Sequence, residues 1–193
     1  METPQLAESE IDTVPIKKKE NWTRFFLDLL ETLLLSIALF LGINTLTARV
    51  LVEGHSMRPT LENHQRLIVN KLAYRSKLPE RGDILVFHYP IDPDQDFIKR
   101  VIGLPGDDIA IDSGEVRVNG QILAEVYIAN APAYVGIWHI SENQIFVLGD
   151  NRNNSSDSHV WGAVPMDNVI GKAVFLYWPL TEWRLLEHEE IYR

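Results

Sequence analysis

The 193-residue chain contains no cysteine. Thiol nucleophiles, disulfides and Cys-ligated zinc sites are therefore excluded, while the compartment stays open. Positive charge is scarce as well: 18 Lys and Arg stand against 27 Asp and Glu, for a net charge of −9. A nucleic-acid partner needs a basic footprint on its phosphates, and this chain offers none. Repeats and low-complexity segments are missing. Beyond residue 50 so is any helical pattern of useful length. Two serine signatures are absent too. There is no Gly-x-Ser-x-Gly elbow and no Ser-x-x-Lys, which removes the hydrolase elbow and the penicillin-binding-protein site.

Long apolar runs are rare, and the one present lies near the N-terminus. Residues 1–24 are polar and carry Lys17, Lys18, Lys19 and Arg24; then follows FFLDLLETLLLSIALFLGINTLTARV. Between Glu31 and Arg49, 17 residues carry no charge. About 17 is the lower limit for a membrane span, and Phe25, Phe26, Leu29 and Leu30 lengthen the apolar stretch. A core helix or a cleaved signal peptide would show a similar run. However, TLTARV makes a poor small-x-small cleavage site. The reading is an uncleaved transmembrane anchor over 25–48. The basic cluster ahead of it places residues 1–24 in the cytoplasm and residues 49–193 on the exported side.

The exported part is written in short β-type runs. RLIVNKLAY (66–74), DILVFHY (83–89), DFIKRVIGL (96–104), QIFVLGD (144–150) and KAVFLYW (172–178) are rich in Val, Ile, Phe and Tyr. Turn residues separate them, as in PERGD, YPIDPD and LPGDD. IAIDSGEVRVNGQIL (109–123) reads as strand, tight turn, strand, then an Asn119-Gly120 turn. These runs predict a mainly β, largely antiparallel domain, either a barrel or folded-over sheets.

Three segments hold chemistry. In GHSMRPTL (54–61), Ser56 has no base within the octet. His55 is adjacent, so in extended chain its ring points away. Histidines 64, 88, 139, 159 and 188 have no sequence setting that marks a base. In FIKRVIGLPGD (97–107), two charges sit inside an apolar strand. Lys99 shares a face with Phe97 and Val101, and Arg100 shares one with Ile98 and Ile102. Both faces are apolar, so periodicity does not decide which charge is buried. Arginine cannot act as a base, whereas a buried lysine can. Lys99 could equally snorkel to solvent or pair with Asp96 or Asp107. The third segment, GDNRNNSSDSHVWG (149–162), does not fit an EF-type calcium loop and suits a dense hydrogen-bond network. In it Arg152 could pair with Asp150 or Asp157.

These blocks, in this order behind an apolar N-terminal run, resemble type I signal peptidases, membrane-bound Ser-Lys proteases. The resemblance spans roughly residues 25–180. It implies antiparallel sheets around an extended groove, with Ser56 as nucleophile and Lys99 as general base. Ser155 would bond the lysine, Asp157 and Arg152 would form a supporting ion pair, and Asp150 would buttress the loop. Neither metal nor cofactor is implied. The implied partners are exported preproteins with small residues at −1 and −3, together with the lipid bilayer of the cell or thylakoid membrane. Val52 and Ile98 are candidate walls of the pockets that enforce small size. Oligomeric state is not implied.

Two positions depart from the family pattern. Many members carry a serine where this chain has Gly54, and that hydroxyl completes the oxyanion hole. Here the hole would rest on the Ser56 N–H and the Gly54 N–H. A lost side-chain donor costs about 3–4 kcal/mol in other hydrolases. Gly54, the single anchor and the short 108–144 connection look like the smaller Gram-positive and cyanobacterial forms. Asn153 stands where aspartate is common, with little effect expected. Two alternatives remain at this level. One is a self-cleaving Ser-Lys repressor of the SOS type, which needs a DNA-binding helical domain in place of the apolar run. The other is an inactive membrane-anchored β module used for binding.

Overall fold

The computed structural model describes residues 22–186; Lys17–Lys19 and His188 lie outside them. By internal contacts the chain divides into two units, residues 1–40 and 41–193.

Helix α1, Trp22–Leu46, has 25 residues and no buried side chain. At ~1.5 Å per residue it is about 37 Å long, against a hydrocarbon core of about 30 Å. By length and composition it can cross a membrane. Its end differs from the 25–48 expectation. Thr47 and Ala48 already belong to strand β1, Thr47–Leu51, where they pair with Asn70 and Val69. β-branched Thr47 and Val50 suit a strand, and the paired neighbour satisfies backbone groups that a longer helix would have bonded within itself.

The second unit is β-rich, and every strand pair among its described residues is antiparallel. β2 (Arg66–Asn70), β3 (Ile84–His88), β4 (Asp96–Gly103) and β9 (Gln144–Leu148) follow the apolar runs of the sequence. β10 (Val164–Pro165), β11 (Val169–Trp178) and β12 (Arg184–Leu185) complete the larger sheet. Its order is β1-β2-β11-β3-β4-β9-β10, with β12 on β11. A smaller sheet, β7-β6-β5-β8, is built from β5 (Asp108–Asp112), β6 (Glu115–Val118), β7 (Gln121–Ile122) and β8 (Gly136–His139). Asn119 and Gly120 both have positive φ, 52° and 82°. Those angles give the two-residue loop a twist that matches its strands. Beyond the end of α1, the longest helix among the described residues is α2, Ser158–Trp161, of four residues.

Alternation sets the cores. Ile109, Ile111, Val116 and Val118 turn inward from the smaller sheet onto Ile102, Phe146 and Leu148. Leu67, Val69, Val86, Ile98 and Leu176 form a second cluster with Val52 and Met57. β4 therefore runs between apolar groups on both faces, and this is where the two charges at 99 and 100 lie.

Candidate active site

Strand β4 buries both charges. Lys99 is 4% exposed and Arg100 1%. Their opposite faces lead to different fates. Asp150 neutralises Arg100 through two bonds, Nε to Oδ1 at 2.8 Å and Nη2 to Oδ2 at 2.7 Å. Arg100 Nη1 also donates to Gly82 O at 2.9 Å. Lys99 has no carboxylate in contact among the described residues. Its Nζ donates to Ile98 O at 3.0 Å and lies 2.8 Å from Ser56 Oγ. Asp96 and Asp107, the alternative partners, are engaged elsewhere, Asp96 with His88 and Asp107 with Arg81. Burial lowers the Lys99 pKa from 10.5 to about 8, while Asp157 and Asp150 oppose the shift from a distance. A lysine so placed is neutral often enough near neutral pH to accept a proton.

Ser56 sits on the loop between β1 and β2. Its carbonyl accepts from the Asn151 N–H at 2.9 Å, and His55 O accepts from Asn151 Nδ2 at 3.1 Å. The nucleophile loop is thus pinned to the 149–157 loop, where Gly149 comes so close that a Cβ would collide with Ser56 O and Ser155 Oγ. Thr60 Oγ1 donates to Asp150. Asp150 therefore ties the Ser56 loop to the strand that carries Lys99. No histidine bonds Ser56 among the described residues.

Several implied details change. Arg152 is buried, but it does not pair with Asp157. Its guanidinium grips Glu125, Nη1 to Oε2 at 2.7 Å and Nη2 to Oε1 at 2.6 Å, and its Nε donates to Gly149 O at 3.1 Å. Asp157 caps α2, accepting from His159 N and from the Gly149 N–H at 2.8 Å, with His159 Nδ1 at 2.6 Å. Its oxygens are therefore occupied by local backbone and His159. Ser155 Oγ is buried without a hydrogen-bond partner among the described residues, because the lysine amine faces Ile98 O and Ser56 instead. The Gly54 N–H is taken by Asn63 Oδ1 at 2.9 Å, so it is not available to an oxyanion. Asn153 spends its amide on Ala131 O and Ala133 N.

An open groove of about 740 Å³ runs past the Ser56–Lys99 pair. Val50, Val86 and Ile98 belong to its apolar lining, with Leu51 and Phe97, and Asp94 and Asp96 line it too. Ile98 was expected there. Val52 was also expected, but it is buried in the core below, its backbone paired with His64 and Gln65. Among the described residues both flanking strands offer an unpaired edge: β1 pairs with β2 alone, and β9 joins β4 from Arg100 onward. Glu125, Thr60, Asn63 and Asn151 had no signal in the sequence. Each acts through a partner tens of residues away or through a single backbone group.

The sequence is similar to those of known proteins. The family model described as signal peptidase, peptidase S26, matches residues 26–178. A probable signal peptidase I-2 of Synechocystis is 44% identical over 179 residues, covering 88% of this chain and 82% of its own. A signal peptidase I of Leptolyngbya laminosa is 47% identical over 162 residues, 79% of each chain. One from Bacillus caldolyticus is 40% identical over 147 residues, covering 68% of this chain and 80% of its own. With a matched span that runs from α1 through the Ser56 and Lys99 segments to the end of β11, the chain belongs to the peptidase S26 family of signal peptidases, enzymes that remove signal peptides.

Proposed function

We propose that Ser56 and Lys99 carry out that cleavage as a nucleophile–base dyad on preproteins ending their signals in small-x-small. The supporting observation is a buried amine 2.8 Å from a serine hydroxyl, with no carboxylate among the described residues in contact to keep it charged. Neutral Lys99 takes the Ser56 proton as Oγ attacks the scissile carbonyl carbon. The carbonyl oxygen becomes an oxyanion beside the Ser56 N–H. The Lys99 ammonium then gives its proton to the departing amine, leaving an ester on Ser56 and a neutral lysine. Water next loses a proton to Lys99 and attacks the ester, and Ser56 regains its proton as the signal peptide leaves.

The groove fits an extended peptide. Unpaired edges of β1 and β4 can take main-chain hydrogen bonds, and the close walls at Val50, Val86 and Ile98 favour small side chains. Helix α1 anchors the chain in the cell or thylakoid membrane, residues 1–24 on the cytoplasmic side and the domain from 49 on the exported side. Protease added to sealed right-side-out vesicles should digest the β domain. Digestion only in inverted vesicles would overturn this topology. The catalytic assignment is tested by incubating the detergent-purified protein with one preprotein and mapping the cut by mass. A single cut after small residues at −1 and −3 is expected, and cuts without that preference would overturn the specificity.

A further inference from the structure

The link between β7 and β8 is bound to the 149–159 segment at successive places. Glu125 holds Arg152 with both carboxylate oxygens. The Tyr127 ring lies under the Arg100 guanidinium, 3.9 Å from its carbon, and 5.8 Å from that of Arg152. Asn153 clasps Ala131 and Ala133, and Tyr134 stacks on His159 with centroids 3.8 Å apart. A link that merely joined two strands of a sheet would not need these bonds.

The Glu125 contact reaches furthest. Arg152 and Glu125 have side chains 0% and 7% exposed, so the pair is desolvated and its fork geometry is well defined. From Arg152, Nε holds Gly149 O. Gly149 packs against Ser56 O without room for a Cβ, and Asn151, two residues on, bonds the same carbonyl. A movement of Arg152 therefore passes directly to the backbone of Ser56. The other half of the dyad is held from the same link, through Tyr127 on Arg100, the neighbour of Lys99.

We propose that Glu125 is a positioning residue for the Ser56–Lys99 pair, acting through Arg152 and Gly149 to set how closely the serine hydroxyl meets the amine. Glu125 is not among the residues that line the groove, so its loss acts on turnover and leaves binding there alone. The proposal rests on the dyad assignment above.

The test compares wild type, Glu125→Gln, Glu125→Asp and Ser56→Ala on one preprotein, with kcat, KM and the pH profile measured for each. Glu125→Gln removes the charge-assisted fork, and kcat should fall at least tenfold with KM within about twofold. Glu125→Asp keeps the charge and shortens the reach. It should show the same split in smaller size, with the rising limb of its pH profile moved to higher pH as water reaches Lys99. A purely structural role would lower the melting temperature without moving that limb. If Glu125→Gln does not fold, Glu125→Asp decides by the same readouts. If Ser56→Ala is dead while folded Glu125 variants keep wild-type kcat and limb, the inference alone falls. If Ser56→Ala cuts at the wild-type rate, the dyad assignment falls and takes the inference with it.

Discussion

Lys99 Nζ and Ser56 Oγ are 2.8 Å apart although 43 residues separate them in the chain. The two belong to different elements, a core strand and a loop, and the bonds of Asn151 and Asp150 bring those elements together. Burial lowers the Lys99 pKa to about 8. The rate should accordingly rise with pH through a limb near 8, below the ordinary lysine value of about 10.4. Lys99→Arg should be inactive, since arginine keeps the charge and cannot take the proton. A pH–rate profile and single-turnover assays check both. An arginine variant with more than about a tenth of wild-type turnover, a barrier change under ~1.4 kcal/mol, would mean that residue 99 acts through charge.

The same burial has a cost in stability. Lowering the Lys99 pKa from 10.5 to about 8 corresponds to about 3 kcal/mol. Between those values the unfolded chain binds more protons than the folded one, so stability rises with pH across that window. Below pH 8 the penalty is present in full. Lys99→Met should thus be more stable than wild type at pH 7, by up to ~3 kcal/mol, and the difference should close by about pH 10.5. Unfolding at pH 7 and pH 10.5 measures it, and a gap unchanged between the two would rule out burial of the charge as its source.

Arg100 and Asp150 are 1% and 0% exposed in their side chains. Asp150→Asn removes the carboxylate that Arg100 bonds through two nitrogens and should cost about 3–5 kcal/mol. Replacing both, Arg100→Met with Asp150→Leu, removes the buried charge as well and should cost less than the single change. Melting temperatures of the three proteins report the coupling, and simple additivity would show that the pair is not a unit.

Gly54 adopts φ +93°, a region where side chains are strained. Gly54→Ser should lower stability by about 1 kcal/mol without raising kcat, because the turn and the Asn63 bond already fix this backbone. A rise in kcat of tenfold or more would show that a side-chain oxyanion donor can be restored here.

The sequence by itself determined the strand content and the long apolar helix near the N-terminus. Period-2 runs such as ILVFH and the Asn119-Gly120 turn act locally, so strand and hairpin chemistry is written in adjacent residues. Short strands were harder to read. β8, Gly136–His139, was not read as a strand, and Thr47 and Ala48, read as the end of the apolar run, pair with β2 as the start of β1. Ser56 and Lys99 stood out because a charged pair in an apolar strand and a serine in a turn-rich octet are local anomalies, and the resemblance joined them. Which of the two charges is buried was not local. Both are, and the packed sheets set Arg100 on Asp150 and Lys99 on Ser56. Arg152 shows the same limit. Asp157 is five residues away and pairs with His159 instead, while Glu125, 27 residues away, takes the arginine. Ion pairs form between groups that the folded backbone brings within reach, and that reach exists only after the sheets have packed.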